Sequence, residues 1–75
     1  MHLTPREKQV AQRLLKAEPR KVIAQDLEIS IWTVDFHIVN IKRKIGARTL
    51  IELGIFFARN PAEVRSSDSQ QLFTF

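Results

Sequence analysis

The side chains of this sequence that can do chemistry are concentrated between residues 21 and 48, and the chemistry they share is donation to a polyanion. Lys21, Lys42, Arg43 and Arg48 are cations, and Ser30, Thr33, His37 and Asn40 are uncharged donors among them. Such side chains suit phosphate oxygens, which take about half or more of the hydrogen bonds in protein–DNA contacts and fix register without reading sequence. Trp32, Asp35, Phe36 and Val39 add three apolar groups and one acceptor. In the major groove an apolar group fits the thymine methyl, and a carboxylate accepts from the cytosine amino group. The two sets together are a candidate apparatus for holding and reading duplex DNA.

Charge placement agrees with this. Residues 1–48 hold ten Lys or Arg against five Asp or Glu, while the remaining residues hold two against three. The whole chain carries +4, so the excess of positive charge belongs to the part that holds the donors. Catalytic chemistry finds no support. There is no cysteine, no Gly-rich phosphate loop, no paired carboxylates suited to a cleft and no histidine pair at metal-ligand spacing, so no enzyme activity, cofactor or metal is expected. His37 is expected on the inner side of its helix beside Val34 and Ile38, packed and within reach of phosphate.

Four helices must position these residues. Thr4-Pro5-Arg6-Glu7 reads as a capping box with proline at the first helical position, and Val10, Ala11, Leu14 and Leu15 give the helix one apolar face. The residue that would staple Leu3 to this helix is Lys8, so Leu3 should dock on another helix. Pro19 opens a short second helix carrying Val22, Ile23, Ala24 and Leu27. Glu28-Ile29-Ser30 makes a turn, and Ser30 caps a third helix running to about residue 44. Along it Val34, Ile38, Ile41 and Ile45 form a buried stripe, with Trp32, Asp35, Phe36, Val39, Asn40 and Arg43 opposite. Gly46 stops this helix, and Lys42, Arg43 and Lys44 suit its negative end.

A fourth helix is expected over about 49–59, ended by Asn60-Pro61. Leu50, Ile51, Leu53, Ile55, Phe56 and Phe57 place apolar groups on nearly every side of it, more than one core can cover. Ile51 and Ile55 are therefore candidates for a two-fold dimer contact. The domain is expected to span residues 1–60, and residues 61–75 a polar, mobile C-terminal tail. With 75 residues there is room for one domain, which at this size buries only about 60% of the unfolded chain's surface. The apolar stretch at 53–58 is far short of the roughly 20 residues of a membrane span, and the first residues do not resemble a secretory signal.

Leu3-Thr4-Pro5-Arg6-Glu7, Ile23-Ala24, Ile29-Ser30, Thr33-Val34, His37, Asn40-Ile41, Arg43-Lys44-Ile45-Gly46 and Glu52 resemble, in order and spacing, the LuxR/FixJ/GerE helix-turn-helix signature. The resemblance covers residues 3–59. It implies an all-α, four-helix helix-turn-helix domain of LuxR type that binds DNA through the third helix, commonly dimerises through the fourth, and regulates bacterial transcription. It also implies a cytoplasmic, nucleoid-associated protein, an inverted-repeat site, a weak homodimer, RNA polymerase as a further partner, and a place at the end of a longer regulator in many relatives. The chain departs from the family where a lysine commonly follows the Thr-Val pair, since Asp35 stands there. Phe36 and Val39 replace residues that are frequently polar or basic, and Trp32 one that is usually small or polar. An apolar helix tip of this kind fits thymine methyl groups, and it equally fits a module that holds a protein partner through Trp32, Phe36 and Val39.

Overall fold

The structure, a computed structural model, describes residues 3–64. They form α1 (Pro5–Leu15), α2 (Arg20–Leu27), α3 (Ile31–Ile45) and α4 (Leu50–Arg59), followed by a single 3₁₀ turn, Pro61–Glu63. No strand occurs among the described residues, so the fold is all-α, as the helical periodicity required.

Three of the four α-helices start where a side chain can take up a free N–H group. At α1 the Glu7 N–H donates to Thr4 Oγ1 at 3.1 Å and the Thr4 N–H donates back to Glu7 Oε1 at 2.9 Å, which completes the capping box. Ser30 Oγ accepts from the Thr33 N–H at 3.1 Å at the head of α3, and Thr49 Oγ1 does the same for Glu52 at the head of α4. Of the four α-helices, α2 alone begins without a side-chain cap; Pro19 stands at its N-cap.

The ends of α1, α2 and α3 follow one pattern. Ala17, Glu28 and Gly46 all adopt left-handed backbone, with φ of 60°, 57° and 76°. After each, the next amide donates back across the last turn: Glu18 to the Arg13 carbonyl, Ile29 to that of Ala24 and Ala47 to that of Lys42. These are Schellman closures, which satisfy carbonyls that the helix leaves free. The middle one makes the tight turn between α2 and α3.

Among the described residues α3 packs against α1, α2 and α4, and is the element that gathers the others. Its Val34, Ile38 and Ile41 meet Val10 and Ala11 of α1, Ile23 and Ala24 of α2, and Leu53 and Phe57 of α4 in one core, with Ile45 packed at the edge. Leu3 is buried in that core. Removing any of the large fully buried side chains costs about 2–5 kcal/mol, a large share of what so small a domain has.

Packing continues past the expected boundary at residue 60. The 3₁₀ turn brings Val64 into the core, and its carbonyl accepts from Gln12 Nε2 of α1 at 2.6 Å. Residues 61–64, read from the sequence as the start of a mobile tail, are thus part of the packed domain. The polar composition hid this because one apolar residue and one carbonyl suffice to anchor the turn. The rest of the expected tail lies outside the described residues.

Candidate nucleic-acid interface

The closure at Glu28 and the Ser30 cap set where α3 begins and how it leaves α2, while the stripe Val34, Ile38, Ile41 fixes its rotation about its own axis. Val34 and Ile41 are wholly buried, and that forces the opposite face outward. Steps of four, three and four residues align Trp32, Phe36, Val39 and Arg43 along it. Trp32 is 80% exposed, Phe36 63% and Val39 47%, large fractions for side chains that a core would hide. The Phe36 ring sits 6.1 Å from that of His37, tilted by 58°.

Asp35 has a different setting. It is half-buried, and its Oδ1 accepts from Arg20 Nη1 at 2.5 Å, so its charge is offset from the first residue of α2. The sequence places Asp35 on the outward face as an acceptor for a cytosine amino group, and nothing in it singles out Arg20 as a partner. The two lie 15 residues apart, beyond the reach of any local pattern.

The candidate phosphate donors lie on α3 and on the segments just before and after it. Lys21 of α2, Arg43 of α3 and Arg48 in the α3–α4 connection are exposed, as is Ser30; Thr33, His37, Asn40 and Lys42 are half-buried. Ser30 Oγ and Thr33 Oγ1 lie 3.0 Å apart, which leaves the pair one hydroxyl proton to offer outward. The ion pairs among the described residues join Arg13 to Glu18 and Asp26, Arg20 to Asp35, and Lys44 to Glu7. Lys21, Lys42, Arg43 and Arg48 take part in none of them. His37 is only partly enclosed beside Phe36, less fully packed than Val34 or Ile38.

Lys44 serves another purpose. Its Nζ donates to Glu7 Oε1 at 2.7 Å, and the Glu7 side chain is 4% exposed. Burial raises the Glu7 pKa, but hydrogen bonds from Lys44 and the Thr4 N–H, with the Lys44 charge, outweigh it and leave the carboxyl below its ordinary value. One carboxylate therefore caps α1 and ties the last turn of α3 to it. This is a positioning contact, and its 37-residue separation left no signal in the sequence beyond the capping box itself.

On α4, Leu53 and Phe57 are buried and Phe56 is partly so, its ring edge-on to Phe57 at 5.3 Å. Leu50, Ile51 and Ile55 stay exposed, Ile51 at 77%. The surplus apolar face expected from the sequence is present, and Ile51 and Ile55 share it at a spacing of four residues.

No helix of the described residues is long and apolar enough to cross a membrane, and among them no group of three His, Asp or Glu is placed to hold a metal ion. A family model described as bacterial regulatory proteins, luxR family, matches residues 1–57. No curated protein and no solved structure matches the chain.

Proposed function

The chain belongs to the luxR family of bacterial regulatory proteins, a family of DNA-binding transcription regulators, and from that premise we propose that it binds specific duplex sites with α3 in the major groove. The observation that supports this is the division of α3 into a buried stripe and an exposed one within a single capped helix. At 1.5 Å per residue its 15 residues span about 22 Å, and the major groove, about 12 Å wide, admits such a helix.

In this reading Trp32, Phe36 and Val39 meet base edges, and Asp35, with one oxygen held by Arg20, keeps the other for a cytosine amino group. Lys21, Ser30, Thr33, His37, Asn40, Lys42, Arg43 and Arg48 serve phosphates on either side. Ile51 and Ile55 meet their symmetry mates across a two-fold axis, which sets two copies of α3 about 34 Å apart and selects an inverted repeat. One short helix offers less than a standard interface, so the dimer is weak and forms on DNA.

Equilibrium binding to a random-sequence duplex over a series of salt concentrations tests the core of this reading. A steep linear fall of log K with log salt is the result expected from counterion release. A flat dependence, or no duplex binding, would sink it and favour a protein partner for the apolar face of α3.

A further inference from the structure

We infer that this site reads thymine by its 5-methyl group, through Trp32, Phe36 and Val39, at A·T pairs within one short run of the duplex. The inference rests on the groove reading above and adds to it the class of base recognised.

The chemistry of the exposed stripe from Trp32 to Val39 leaves few other choices. Phe36 and Val39 can neither donate nor accept a hydrogen bond, and Trp32 has a single donor, the indole N–H. The one carboxylate beside them, Asp35, has Oδ1 engaged by Arg20 at 2.5 Å and keeps a single oxygen, for the cytosine amino group named above, at a position other than theirs. In the major groove the thymine methyl is the one sizeable apolar group that a base edge presents. Guanine O6 and N7 or a cytosine amino group set against Phe36 or Val39 would lose water and gain no partner, which opposes G·C pairs at those positions. A thymine methyl in the same place exchanges water for carbon on both sides. The charges fit as well, since Lys21 and Arg43, exposed and outside the ion pairs of the described residues, are placed to hold an anionic backbone while the carbon surface faces inward.

Helical rise sets the length of the run. Trp32 and Val39 are seven residues apart, about 10 Å along the axis, and successive base pairs are about 3.4 Å apart. The three side chains therefore span about three base steps, and the thymines they meet fall within about four consecutive pairs.

The test uses the full 75-residue chain and a pool of randomised duplexes selected at two salt concentrations. The enriched duplexes are then remade with deoxyuridine in place of thymidine, first throughout and then at single positions. Uracil keeps every hydrogen-bonding group of thymine and lacks only the methyl. The expected result is enrichment of thymine within a four-pair core, with affinity falling about fourfold for each contacted methyl removed. Phe36→Ala should abolish the thymine-to-uracil difference at one position and leave the salt dependence unchanged; its side chain is 63% exposed, so the core stays intact. Salt-dependent duplex binding that is indifferent to uracil overturns the methyl readout and leaves the groove reading standing. Tighter binding to the separated single strands, with bases stacked on Trp32 and Phe36, overturns the methyl readout too. Absence of any duplex binding overturns both.

Discussion

Arg20 and Asp35 form an ion pair, Nη1 to Oδ1 at 2.5 Å, that links the first residue of α2 to the edge of the exposed face of α3. The cation closest to Asp35 is thereby engaged within the protein, and phosphate must compete with a carboxylate for it. Asp35→Asn should release Arg20, tighten binding to random-sequence duplex and steepen the slope of log K against log salt by about 0.9. Folding stability should change by less than about 1 kcal/mol, because both side chains are substantially exposed. An Asp35→Asn slope equal to that of the unaltered chain would mean that Arg20 does not reach phosphate.

Lys21 and Arg43 stand outside the ion pairs of the described residues, so their alanine variants should each lower the salt slope by about 0.9 and weaken all duplexes alike. Thr33→Ala should weaken binding with the slope unchanged, since a hydroxyl displaces no counterion. Retention of the original slope by both cation variants would reduce the basic face to a solvated surface.

Stability should fall in acid through Glu7. Its folded-state pKa lies below the ordinary value of 4.5, so its contribution is complete above the unfolded value and is lost as pH falls through the folded one. Glu7→Gln keeps the capping geometry and removes the charge; it should cost about 1–3 kcal/mol at neutral pH and flatten the acid limb. Glu7→Ala should cost about 1 kcal/mol more, because the cap goes as well. Denaturant titrations at pH 7 and below pH 4 separate these effects. A Gln variant with an unaltered acid limb would show that other carboxylates govern it.

Assembly should depend on Ile51 and Ile55. Glutamate at either position places a charge where the two-fold contact would bury it, which opposes association by desolvation and like-charge repulsion. In sedimentation with an inverted-repeat duplex, the unaltered chain should load two copies together and Ile51→Glu and Ile55→Glu one at a time. Cooperative loading by both folded variants would place the dimer contact elsewhere.

What was legible in the sequence was local. The Thr4–Glu7 box, the Ser30 cap, the Gly46 stop and the Val34, Ile38, Ile41 stripe all lie within a few residues of their partners, so residue type and spacing defined four helices and the outward face of the third. Contacts across the fold left no such trace. Arg20–Asp35, Lys44–Glu7 and Gln12–Val64 join residues 15, 37 and 52 positions apart, and they depend on packing that periodicity implies only in outline. Left-handed closures at Ala17 and Glu28 were hidden for another reason. Glycine advertises such a backbone, as at Gly46, whereas an alanine or a glutamate is held there by the hydrogen bonds that follow it.

Trp32 is the chain's one tryptophan, and it stands 80% exposed on the face assigned to the groove. The protein thus carries its own optical probe at the site of interest, with no background from a second indole. In the free chain its emission should be that of a hydrated ring, readily quenched by iodide. Seated against bases, it should dim and lose contact with the quencher, so a titration of the unlabelled protein reports occupancy of α3 directly.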